Sequence, residues 1–240
     1  MDGFVAGGYF LTKLADRPEW VRATSDELLP GRLFSSSACV SGRLPGIWAH
    51  DWAKPAPDPA LQEWGIDSNR LPEIQEWVGE RYMRGVKWET VFASPALARE
   101  FVRRFVGARG DLVLFGLGLH EADVGSFLED TTPVGDMGAG GVYETILAGQ
   151  PMAEGGLRVG FEPLEDDSGS GQFHSWLCNG VEQRAFEVYG VRPNQHGFID
   201  HPEDAERIAD AINQDLFPAE PGLWLPWLVV TYPLDERLPR

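Results

Sequence analysis

The sequence predicts an α+β fold: a mixed, partly antiparallel sheet of about five or six strands flanked by helices, in one domain spanning 1–240. Three observations predict it. Apolar runs of strand length occur at 112–119 and 223–230, helical stripes occupy 71–106 and 181–213, and the two kinds of segment alternate irregularly. A division near Gly107–Gly110 is disfavoured, because the helices before it have wide apolar faces and too few preceding strands to cover.

Residues 4–14, F-V-A-G-G-Y-F-L-T-K-L, read as a strand in which Gly7-Gly8 marks a bulge or bend. The Pro-containing, acidic stretch 16–31 reads as loop. A second strand is expected at 32–40, where Leu33, Phe34 and Val40 bracket small residues. Residues 42–69 then carry Pro45, Pro55, Pro57 and Pro59 together with Trp48, His50, Asp51, Trp52 and Trp64. Loops of that length are uncommon unless they are functional or locally packed. The tryptophans are expected to pin this one to the body with part of their surface exposed, so Trp48, His50, Asp51 and Trp52 are binding candidates.

Two helices follow. The first, 71–84, places Ile74, Trp77, Val78 and Tyr82 on one face. In the second, opened by Ser94-Pro95, Leu97, Phe101 and Phe105 recur every four residues and Arg99, Arg103 and Arg104 lie off the buried stripe. The continuous apolar run 111–119 has the mark of a strand covered on both faces. It ends in His120-Glu121-Ala122-Asp123. Polar groups just past the carboxyl end of a central strand are where ligands bind in α/β sheets, which makes His120, Glu121 and Asp123 candidates. The plainer reading of the two acids is that they favour the positive end of a following helix.

Residues 131–156 are rich in Gly and Pro. D-M-G-A-G-G before Val142 lacks the Lys-Ser/Thr of a P-loop and the spacing of a dinucleotide fingerprint, so no cofactor is expected. A short helix at 142–148 and a strand at 157–164 lead to the densest chemistry in the chain, 168–200. Alternation in 172–178 reads as a strand, which would put His174 and Cys178 on one face but roughly 13 Å apart, too far for one metal. In a helix they would be neighbours able to share a metal with His196 and His201; the strand reading predicts none. Asn179 with Glu182 resembles a capping box, Val181, Ala185 and Val188 or Tyr189 form a stripe, and Gly190 is the expected terminator. Pro193, Asn194 and Gly197 make 191–199 a loop presenting His196. Pro202 opens a helix with Ala205, Ile208, Ala209 and Ile212 spaced for burial and Glu203 facing Arg207. Finally 222–232 is apolar on both faces, a buried strand in which Pro226 forces a bulge or an edge position. No internal repeat is visible.

Net charge is −17, which repels phosphate backbones and anionic membranes, so neither nucleic acid nor membrane is an expected partner. The charge is uneven: residues 70–109 balance to +3, whereas 120–170 balance to −10. A solvated acidic surface is the plain reading; a face that attracts a basic protein partner is the sharp one. Two cysteines, Cys39 and Cys178, and a start M-D-G-F-V without a signal-like pattern predict a reducing, cytoplasmic setting. Two functional classes remain in view. The first is an acidic binding protein that docks or neutralises a basic partner, in the manner of immunity or inhibitor proteins; the second is a small hydrolase or transferase using His174 or His120 as base beside a carboxylate. A purely structural component is a third. The predicted site joins His174, Trp176 and the His196 loop to His120-Glu121-Asp123.

Overall fold

The computed structural model describes residues 1–16, 19, 28–29, 31–37, 39–44, 62–82, 86–87, 91–107, 109–131, 141–167 and 171–235. In chain order the strands are β1 (Phe4–Lys13), β2 (Ala15–Asp16), β3 (Arg32–Leu33), β4 (Val86–Lys87), β5 (Val91–Phe92), β6 (Leu112–His120), β7 (Leu157–Asp166), β8 (Phe173–Ser175) and β9 (Leu225–Tyr232). The α-helices are α1 (Leu71–Arg81), α2 (Pro95–Phe101), α3 (Val124–Asp130), α4 (Gly141–Leu147), α5 (Val181–Tyr189) and α6 (Pro202–Asn213). The α+β class stands. Among the described residues the main sheet has seven strands in the order β4-β5-β1-β6-β9-β7-β8, and each of their pairings is antiparallel.

The sheet is covered on both sides, which explains why β6 and β9 read as unbroken apolar runs. One face packs Tyr9, Leu11, Leu114, Phe161 and Leu228 against α1, α2, α5 and α6. The other packs Phe10, Phe115, Leu117, Leu164 and Trp227 against Phe127 of α3 and Val142 and Ile146 of α4. Two bulges shape the sheet. One lies between Ala6 and Gly8 of β1, as the double glycine predicts. The second lies between Arg158 and Gly160 of β7, where Gly160 has φ +146° and a side chain would come within 2.7 Å of the Ile199 carbonyl. That close approach lets Phe161 and Ile199 exchange backbone hydrogen bonds of 2.7 and 2.9 Å, docking the 194–199 turn onto β7.

Several expected boundaries move, each for a local reason. The strand predicted at 32–40 stops at Leu33, because the hydroxyls and amides of the serines beyond it bond to one another and to Glu162 rather than to a neighbouring strand. The strand predicted at 172–178 is only Phe173–Ser175; Trp176–Asn179 is a 3₁₀ turn ending on the left-handed Gly180. Gly180, not Asn179, therefore precedes α5, and no side chain caps that helix; Gly190 terminates it as expected. Helix α1 ends at Arg81. Ser94 caps α2, its hydroxyl accepting from the Leu97 amide at 3.3 Å, and the helix then widens into a π turn over Val102–Val106. In α6 Arg207 pairs with Asp204 instead of Glu203. Pro226 sits in an interior strand without a bulge, at the end where β6 has ceased to pair: the last β6 partner is Leu228, and Pro226 faces only Pro163 of β7. Its missing N–H is thus a local edge position.

Candidate functional site

The strand order places the carboxyl ends of β6 and β7 and the amino end of β9 together, because β9 runs antiparallel between them. His120, Glu121 and Asp123 lie at this end. His120 is exposed, its ring edge-on to Phe4 at 5.2 Å, and its Nδ1 accepts from the Ala122 amide at 3.2 Å. Glu121 is exposed. Asp123 occupies the position just before α3, at the positive end of that helix, without a side-chain hydrogen bond to its amides. Partial burial raises its carboxyl above the usual range, His120 pulls it down, and Asp210 of α6 pushes it up.

The strongest electrostatic feature at this end is Glu165. It lies on β7 directly across from His174 of β8, buried against Gly222. Burial first, then the negative charges of Asp167, Asp130 and Glu220, push its carboxyl up to about 7. Four acids from β7, the residue after it, α3 and the 214–224 connection thus share one field. Like charges held together favour the neutral form of the most buried member. His174 is the described cation within ion-pair reach of Glu165, Nε2 to Oε2 at 4.0 Å, a separation that allows attraction when the ring is protonated but no hydrogen bond.

The other predicted members lie elsewhere. Trp176 is fully buried, and its indole N–H has no hydrogen-bond partner among the described residues, so it is a core residue and presents no surface to a ligand. The His196 turn is held at the opposite end of the sheet, where Asn194 donates to the Val159 carbonyl at 2.8 Å near the start of β7. It lines a groove of about 520 Å³ with Arg32, Leu157 and Thr231. Trp48, His50, Asp51 and Trp52 lie outside the described residues. Among the described residues no three His, Cys, Asp or Glu side chains are gathered to hold a metal.

A second polar cluster went unread in the sequence. Glu162, fully buried on β7, accepts from Ser35 Oγ at 2.7 Å, Ser36 Oγ at 2.8 Å and the Ser36 amide at 3.1 Å. Ser175 Oγ lies 3.3 Å from Ser35 Oγ, and Ser41 Oγ donates to the Ser35 carbonyl at 2.9 Å while lying 2.9 Å from Thr12 Oγ1. Burial raises the Glu162 carboxyl and the serine donors oppose that rise. These serines and the acid are all completely buried. The cluster therefore fastens Ser35, Ser36 and Ser41 to the sheet and offers no nucleophile to a substrate. Its signal was present as S-S-S at 35–37 and as a carboxylate sharing a strand face with Leu164, but 126 residues separate the partners.

Comparison with known protein families, curated proteins and solved structures finds no match.

Proposed function

We propose that this chain is an acidic binding protein which docks, and by docking neutralises, a basic protein partner, acting in the cytoplasm in the manner of immunity or inhibitor proteins. The observation that carries the reading is the crowded carboxylate end of the sheet, where burial first, and then the charges of Asp167, Asp130 and Glu220, push the Glu165 carboxyl up to about 7. A lysine or arginine brought to this end relieves that repulsion and draws the proton from Glu165. Electrostatic complementarity of this kind accelerates encounter and selects cationic partners. Net charge of −17 acts in the same direction at long range and against nucleic acid. Catalysis is less well supported: His174 is too far from Glu165 for a hydrogen bond, and the serine hydroxyls on Glu162 are inaccessible.

Affinity capture from the native host at low salt tests the reading. A basic protein should be recovered, with an association rate that falls as salt rises. Charge reversal in Asp130→Lys, Asp167→Lys and Glu220→Lys together should slow association by roughly tenfold or more and flatten its salt dependence. Capture of no macromolecule at any salt concentration would refute it. The hydrolase or transferase alternative keeps one observation, a carboxyl titrating near 7 beside His174. It requires turnover that disappears in both His174→Ala and Glu165→Gln.

A further inference from the structure

The structure assigns Cys39 and Cys178 as an oxidisable pair, a modification site at which a low-molecular-weight disulfide converts two thiols into one intramolecular disulfide. The two are 139 positions apart in the chain, yet both reach the same atom. Ser37 Oγ accepts from the Cys178 thiol at 2.8 Å and from the Cys39 backbone amide at 3.2 Å. Cys178 Sγ is therefore no farther from the Cys39 amide nitrogen than those two hydrogen bonds laid end to end, and closing the disulfide requires the two sulfurs to come to about 2.05 Å. Accessibility divides the roles. Cys39 is exposed, whereas Cys178 is partly covered and also lies 3.4 Å from Ser175 Oγ. Burial, and to a lesser degree the charge of Cys39, push the Cys178 thiol up, which suits it to a second step rather than a first.

The chemistry balances as ordinary exchange. The Cys39 thiolate attacks one sulfur of the small disulfide, forming a mixed disulfide and expelling a small thiolate. Cys178 then loses its proton and attacks Cys39 Sγ, forming the Cys39–Cys178 bond and expelling the second small thiolate. Two electrons pass to the reagent, and its two thiolates take up the two protons. The product ties the serine segment that covers Glu162 to the turn leading into α5, and it removes the thiol donor from Ser37. This inference does not depend on the function proposed above.

The test treats the full chain with oxidised glutathione, quenches with an alkylating agent, and reads intact mass and peptide maps. Wild type should lose the mass of two hydrogen atoms as a monomer and yield a Cys39–Cys178 cross-linked peptide. Closure in the folded protein should be roughly tenfold or more faster than in the urea-unfolded chain, where a long loop must close by chance. Cys178→Ser should retain a glutathione adduct on Cys39, the trapped first step, and Cys39→Ser should stay largely unmodified. A persistent glutathione adduct on wild type, dimers linked through Cys39, or a cross-link that forms only in urea would overturn the pairing. Circular dichroism of each variant confirms that the fold under test is intact.

Discussion

Glu165 and Glu162 are both buried acids on β7, yet they are held by opposite means, and their variants should behave oppositely. Glu165 has its carboxyl pushed up to about 7, chiefly by burial. The folded state thus binds its proton more tightly than the unfolded chain, and its contribution to stability is present below the unfolded pKa, near 4.3, and lost as pH rises through 7. Glu165→Gln should accordingly stabilise the fold by about 2 kcal/mol at pH 8.5 and leave it nearly unchanged at pH 4, read as urea midpoints; an equal effect at both pH values would show that charge is not the cause. Glu162 instead has three donors aimed at it. Glu162→Ala leaves those donors unmatched and opens a cavity, and should cost roughly 3 kcal/mol or more. Of the predicted site residues, the cluster of exposed His120 and Glu121 with part-buried Asp123 could be found from the end of an apolar run. Glu162 could not, because a pattern of period two marks which face a residue occupies but not what crosses that face from 126 residues away.

At the level of elements, what could be read was whatever a single segment decides by itself. Ser94-Pro95, the Gly7-Gly8 bulge, the Gly190 stop and the Ala205/Ile208/Ala209/Ile212 stripe are set by local chemistry, and each appears as the sequence predicts. Ser94→Ala should cost about 1 kcal/mol, the usual worth of such a cap. What escaped was decided by partners. The 172–178 strand breaks after Ser175, whose register on Leu164 ends the β7 pairing, and the strand expected at 32–40 stops at Leu33 because Ser35 and Ser36 bond to Glu162. The β7 bulge was likewise unreadable, since Gly160 is required by the Ile199 carbonyl facing it and not by any neighbour in sequence. Gly160→Ala should destabilise by about 2 kcal/mol or more and selectively loosen the 194–199 turn, visible as faster amide exchange at Phe161 and Ile199. Uniform loss of protection across the sheet would place the strain elsewhere.

For the molecule as a whole the question is whether a net charge of −17 acts as a diffuse cloud or as a local field. The balance of −10 within 120–170, and the convergence of Asp130, Asp167 and Glu220 on Glu165, favour a local field at one end of the sheet. Self-repulsion opposes compact structure and is screened by salt, whose Debye length shrinks from about 30 Å at 0.01 M to about 10 Å at 0.1 M. The thermal midpoint at pH 8 should therefore rise by a few degrees as salt is added. Neutralising three acids in Asp130→Asn, Asp167→Asn and Glu220→Gln distinguishes the two pictures. A diffuse cloud loses little of its repulsion when three of many charges go, so the salt response would barely change. A local field predicts that the response falls by about half and that the Glu165 carboxyl, followed by NMR titration, drops from about 7 toward the value burial alone sustains. An unchanged salt response together with an unchanged Glu165 titration would remove the concentrated field, and with it the observation on which docking of a basic partner rests.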